Sequence, residues 1–176
     1  LSAIYKACNI YVNVNHSSIL LLGSIALDTI ETSHGKQEHL LGGSATYAAL
    51  ASSKFLKPKI VGIVGSDFSK ENLKILEDSC ENLQDLQIRR GSTFRWGGKY
   101  SESGDERETL FTDLGVFENF TPHLSSFNKN PDYIFLANIS PDLQLNILSQ
   151  CENKPFVILD TMNLWIDIAK NDLLDV

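Results

Sequence analysis

Apolar residues fall along this chain in short unbroken runs, and each run gives way to a stretch with a different period. Residues 19–22 (Ile-Leu-Leu-Leu), 60–64, 133–137 and 156–159 have the length and texture of strands buried on both faces. The first run continues through 25–30 past Asp28, and the polar stretch 31–38, carrying His34-Gly35, reads as a loop or hairpin. Helical spacing separates the runs. Residues 44–56 are alanine-rich and stop at Lys57-Pro58, because proline lacks an N–H and disfavours helix in the residue before it. Leu73, Leu76 and Cys80 share one face of a helix over 69–80, Pro141 opens a helix over 141–149, and another begins at 164–169. Strands alternating with helices predict an α/β fold with a mostly parallel sheet flanked by helices.

Residues 84–117 break that rhythm. Leu86 and Ile88 alternate with polar neighbours, as do Phe94, Trp96 and Tyr100 around Gly97-Gly98, a two-residue hairpin signal; a further extended run follows at 108–114. Antiparallel strands inserted into an α/β chain predict a flap beside the main sheet.

Composition narrows the function classes. With 176 residues, 43% of them hydrophobic, the chain can bury a core of its own. A net charge of −7 argues against nucleic-acid and anionic-membrane partners, which select basic patches. The longest apolar run is too short to span a bilayer and no signal-peptide pattern is present. Cys8, Cys80 and Cys151 are odd in number and widely spaced, which fits a reducing, cytoplasmic compartment. No His, Cys or carboxylate cluster has metal-ligand spacing. Residues 1–18 have little periodicity and read as an appendage.

The candidate chemistry begins at Gly42-Gly43, a diglycine between an apolar run and the alanine-rich helix. Glycine admits close approach to the backbone, and the free N–H groups of a first helical turn attract hydroxyls or anions. The same pair also suits a tight loop with Ser44 as helix N-cap. Asp28, Asn138, Asp160 and Asn163 fall at strand carboxyl ends, where open α/β sheets bind ligands. Asp28 could equally cap a turn, and Asp160 and Asn163 the helix near Leu164.

Three motifs in order, Gly23-Ser24-Ile25-Ala26-Leu27-Asp28, Gly42-Gly43-Ser44-Ala45-Thr46-Tyr47-Ala48-Ala49 and Val61-Gly62-Ile63-Val64-Gly65-Ser66-Asp67-Phe68, resemble the ribokinase-like (PfkB) carbohydrate kinases. Phe135-Leu136-Ala137-Asn138-Ile139-Ser140-Pro141 and Leu159-Asp160-Thr161-Met162-Asn163-Leu164-Trp165 are similar to a bacterial sugar-kinase branch of that family. The resemblance covers most of 19–170. It implies a ribokinase-like fold with an inserted β-lid, here 31–41 and 84–117, and transfer of the ATP γ-phosphoryl group to a hydroxyl of a sugar, polyol or nucleoside with Mg2+. It implies that Asp28 binds substrate hydroxyls with Gly42 and Gly43 beside it, and it makes Tyr47, Trp96, Arg107, Asn138, Asp160 and Asn163 further substrate-binding candidates. A homodimer through the lid is implied as well.

The chain departs from the family in three places. Tyr47 stands where many members have asparagine, no arginine follows Asp160 closely, and no Gly-Ala-Gly-Asp-type motif, the family's source of a catalytic base, occurs in the 176 residues. The expectation is that this stretch supplies the acceptor half of a kinase, in the manner of a fragment, is inactive alone with no tight ATP or Mg2+ site, and self-associates through an open sheet edge. The alternative is a non-catalytic module that binds a small polyol. A dinucleotide oxidoreductase lacks its Gly-x-Gly-x-x-Gly after the first strand, and a receiver domain lacks its acidic pair.

Overall fold

The computed structural model describes residues 17–176, so the appendage expected over 1–18 lies outside the described residues except for its last two. Ser18 already belongs to the fold, since its carbonyl accepts from the Tyr133 amide and its own amide donates to Asp132.

Five parallel strands form the large sheet: β1 (Ile19–Leu22), β4 (Lys59–Gly65), β5 (Asn82–Arg89), β8 (Tyr133–Leu136) and β9 (Phe156–Leu159), in the order β5-β4-β1-β8-β9. Side chains alternate across a strand, and this sorts the apolar runs into two cores. Leu20, Leu22, Val61, Ile63, Ile134 and Leu136 face the side covered by α3 (Pro141–Gln150), where Ile147 completes the packing. Leu21, Ile60 and Val64 face α1 (Ser44–Ser52) and α2 (Lys70–Ser79), against Ala45, Ala49 and Leu76. Small residues let α1 lie close to the sheet, although Ala51 faces solvent. The Ser69 hydroxyl caps α2 by accepting from the Asn72 amide.

The remaining strands make a second, four-stranded sheet in the order β3-β2-β6-β7, from β2 (Ala26–Thr32), β3 (Gly35–Gly42), β6 (Arg95–Tyr100) and β7 (Arg107–Asp113). It corrects the expected boundaries. Residues 26–30 do not prolong the first buried strand: the chain turns at Gly23, whose missing side chain leaves room for Ser44 Oγ and Ala137 Cβ, and re-emerges in the small sheet. Residues 82–89 are an edge strand of the large sheet, held parallel to β4, so only the later part of 84–117 joins the small sheet. Gly97-Gly98 is no hairpin turn; β6 runs straight through it and the chain reverses between Tyr100 and Arg107. The two glycines are needed because the Phe111 ring lies over Gly97 and the Trp96 ring over Gly98, in the space that a Cβ would take.

A 3-10 turn (Gly115–Asn119) returns the chain to β8, and α4 (Asn163–Ile168) and α5 (Lys170–Asp175) follow β9. Neither α4 nor α5 contains a fully buried residue, and all of β9 is exposed, Phe156 to 65%, so residues 156–159 form an exposed edge strand and not the strand buried on both faces that their apolar run predicts. No described helix is long and apolar enough to cross a membrane.

Candidate functional site

The order of the large sheet reverses at β1, which has β4 on one side and β8 on the other, and ligands in open α/β sheets bind beyond the strand ends at such a point. Here that point is roofed by the small sheet, and between the two lies a cleft of about 670 Å³.

Its floor is built by a serine clasp. Ser24, just beyond β1, and Ser44, at the start of α1, exchange backbone-to-hydroxyl hydrogen bonds of 3.2 and 3.0 Å, and the Ser44 hydroxyl donates onward to the Asn138 carbonyl at 3.2 Å. Ser44 is therefore not the N-cap; that position is Gly43, with φ of 95° and its backbone against the Ser24 carbonyl. Positive φ together with so close an approach leaves room for glycine alone.

Gly42 serves a different purpose. A Cβ there would coincide with the Asp28 carboxylate, so the missing side chain is the seat in which that carboxylate lies. Asp28 sits in the middle of β2, with Ala26 and Ile30 lining the cleft on the same face. It accepts no hydrogen bond and meets no cation among the described residues. Burial without a partner pushes its pKa up to about 6. A half-buried carboxylate left in that state is poised to accept hydroxyls.

The wall from the small sheet is aromatic. Phe94, Trp96 and Tyr100 lie on one face of β6, while Arg107, Thr109 and, beyond a bulge, Thr112 come from β7. The Arg107 guanidinium stands 5.1 Å from the Trp96 ring centre, so Trp96 lies between that cation and Gly98. Phe94 packs on Phe117 at 5.6 Å between centroids.

Opposite, Met162, Leu164 and Trp165 reach in from the end of β9 and from α4. The Trp165 indole N–H donates to Asn138 Oδ1 at 2.9 Å, and Asn138 Nδ2 lies 3.2 Å from Met162 Sδ. Both ends of the Asn138 amide are thus engaged, which turns the expected ligand contact into a brace for Trp165.

Of the sequence candidates, Asp28, Gly43, Tyr47, Trp96, Arg107 and Asn138 line the cleft, and Gly42 lies directly behind Asp28. Asp160 and Asn163 do not. The Asp160 backbone ties the end of β9 to Leu136 and Gln144, and Asn163 opens α4 on the outside. Neither side chain caps α4, whose N-cap is Met162. Trp165 and Ser24 are the residues sequence reasoning passed over. Ser24 carried no signal beyond its motif, whereas Trp165 is one of only two tryptophans in the chain.

The junction of the sheets is held from below by Asp67. Its Oδ1 accepts from the Thr93 amide and hydroxyl at 2.7 and 2.6 Å, and its Oδ2 from Arg95 at 2.8 Å. Burial works to raise its pKa, but these donors together hold it below the ordinary carboxylate value. Since Thr93 and Arg95 lead into β6, Asp67 fixes where the small sheet starts. Elsewhere, burial raises the Cys80 thiol to about 11, which keeps it unreactive.

Solved structures share this architecture. A nucleoside kinase from Methanocaldococcus jannaschii, an archaeal member of the ribokinase family, superposes with a TM-score of 0.70 at 17% identity, over 90% of this chain and 57% of its own. A Cryptococcus neoformans ribokinase in complex with ADP gives 0.67 at 17% identity, covering 81% of this chain and 50% of that one. Arabidopsis thaliana ribokinase with ribose and ATP gives 0.62 at 15% identity, over 82% and 53%. The chain has the ribokinase-like fold and spans between half and three fifths of the length of these kinases. No family model and no curated protein sequence matches it.

Proposed function

We propose that the cleft is the acceptor side of an ATP-dependent phosphotransfer site, and that Asp28 binds the hydroxyls of a sugar, polyol or nucleoside there. The observation that carries this is the unpartnered, half-buried Asp28 carboxylate seated on Gly42, within a fold shared with ribokinases bound to ADP or to ribose and ATP. A carboxylate accepts hydrogen bonds from two hydroxyls at once, which orients one face of a polyol. The small sheet is read as a lid that keeps water from the acceptor. Among the described residues its outer strand β7 pairs only with β6, and it exposes Leu110 and Phe111, which supports a pairing of two lids.

The transfer step needs more than the cleft offers. A base must take the hydroxyl proton, and donors or Mg2+ must hold the transferred phosphoryl group. Among the described residues no three His, Cys, Asp or Glu side chains are grouped to hold a metal ion, and the sequence has no Gly-Ala-Gly-Asp-type motif. In this reading the residues present do not hold ATP and Mg2+, and no transfer step is built on them. In this reading the nucleotide, Mg2+ and the base belong to sequence outside these 176 residues, in a cytoplasmic enzyme, and the chain by itself binds the acceptor without phosphorylating it.

Calorimetric titration of the 176-residue chain with ribose and adenosine tests the reading. At least one should bind, Asp28→Asn should weaken it by about tenfold or more, and affinity should rise with pH through about 6, since hydroxyl donors favour the ionised carboxylate. Binding indifferent both to pH and to Asp28→Asn would remove Asp28 from the site.

A further inference from the structure

Within that reading, and resting on it, we infer that the acceptor carries a planar aromatic ring beside its hydroxyls, as a nucleoside does, and that Trp165 is the surface on which the ring stacks. The polar groups of the cleft floor and of the wall that carries Trp165 are already engaged. The Ser24 and Ser44 hydroxyls are spent on their own clasp, and both ends of the Asn138 amide are held by Trp165 and Met162. Asp28 remains for hydroxyls, with Tyr100, Arg107, Thr109 and Thr112 on the small-sheet side. Beside Trp165 the wall is apolar, made by Ile139, Met162 and Leu164. Hydroxyls turned to that wall would surrender their hydration with little in return, whereas a ring with a π face gains from it.

The two tryptophans are not equivalent. Trp96 lies between Gly98 and the Arg107 guanidinium, with its ring already occupied. Trp165 has no aromatic neighbour among the described residues, and it projects from a helix without a buried residue, so it is not needed to fill a core. Even so, it is pinned. Its N–H can only donate, and Asn138 supplies the acceptor at 2.9 Å, which fixes the indole in one orientation before any ligand arrives. A fixed aromatic surface on an outward helix, turned into the cleft that holds Asp28, has the form of a stacking platform. Pinning it beforehand lowers the entropy lost on binding.

Because both tryptophans of the chain line the cleft, ligand binding can be read from their fluorescence. Trp96→Phe leaves Trp165 as the sole tryptophan, and this protein, excited at the red edge where tyrosine does not absorb, would be titrated with adenosine, uridine and ribose. A nucleoside should perturb the Trp165 emission and bind about 5- to 100-fold more tightly than ribose, the range expected for one base stacked on an aromatic side chain. In calorimetry on the otherwise native chain, Trp165→Leu should bring nucleoside affinity down to about that of ribose, with a much smaller loss for ribose, and Trp165→Phe should keep most of the preference. Ribose binding as tightly as both nucleosides, with Asp28→Asn still weakening it, would overturn the ring and leave the acceptor site standing. An equal loss of ribose and nucleoside in a folded Trp165→Leu protein would remove Trp165 as the platform. Failure of all three ligands to bind would overturn the acceptor reading and this inference with it.

Discussion

Asp67 and Asp28 both stand where the large sheet meets the small one, but Asp67 accepts three hydrogen bonds while Asp28 accepts none from the described residues. The surroundings then drive their acidities apart: Asp67 is held below the ordinary carboxylate range, and Asp28 is pushed up to about 6. A satisfied carboxylate adds to stability, whereas one buried without partners subtracts from it. Asp67 thus builds the junction, whereas Asp28 does no such work among the described residues, which is what the proposed acceptor role asks of it. Gly65-Ser66-Asp67 ties the two sheets together at the edge of the cleft, and Asp28, seated on Gly42, faces into it.

The comparison breaks first at Asp67. Asp67→Ala strands the Thr93 hydroxyl and amide and the Arg95 guanidinium, and should cost about 2–3 kcal/mol. In a chain of this size that lowers Tm by about 4–12 °C. The contribution of Asp67 is present above its unfolded pKa and is lost as pH falls through its lowered folded value, so the deficit of the variant should shrink in acid. A melting curve unchanged at pH 7 would show that the small sheet does not depend on this staple.

Gly42→Ala should have the next largest effect, because its methyl group must displace the Asp28 carboxylate from its seat. We expect about 1–2 kcal/mol of destabilisation from overpacking and a loss of acceptor affinity similar to that of Asp28→Asn. Wild-type affinity would mean that the position of the carboxylate is unimportant.

The smallest effect has the opposite sign. Asp28→Asn should stabilise the protein at pH 7.5, by about 1 kcal/mol once solvent screening at the cleft is allowed for. The folded pKa of about 6 lies above the unfolded value of 3.8, so the charge penalty is absent below about pH 4 and complete above pH 6. Melting temperatures of variant and wild type should converge at pH 4. If the variant is the less stable at pH 7.5, Asp28 has a structural partner after all.

Much of the large sheet was legible in the chain. Ile19–Leu22 and the core of Lys59–Gly65 are strands where apolar runs predict them, because a strand buried on both faces must be apolar throughout; Phe156–Leu159 is a strand as well, but an exposed one at the sheet edge. The small sheet was read less well. Its strands show one face to a cleft, so their residues answer to one another, and Gly97-Gly98 carries the local signature of a turn while serving as the bed of two aromatic rings. The site divides in the same way. Asp28 and the diglycine could be read from motif order, but Asp160 and Asn163 share the motif of Trp165 and point elsewhere.

By itself the sequence determined the alternation of strands and helices and the places where the backbone must do without a side chain. Periodicity and the steric freedom of glycine are local properties, carried by neighbours in the chain. Only the tertiary structure decided which sheet residues 26–30 join, that Asn138 braces an indole, and that Asp28 is left without a partner. Those outcomes depend on groups between 14 and 110 positions away, from Gly42 behind Asp28 to Asn138 across the cleft, and nothing in local spacing specifies them.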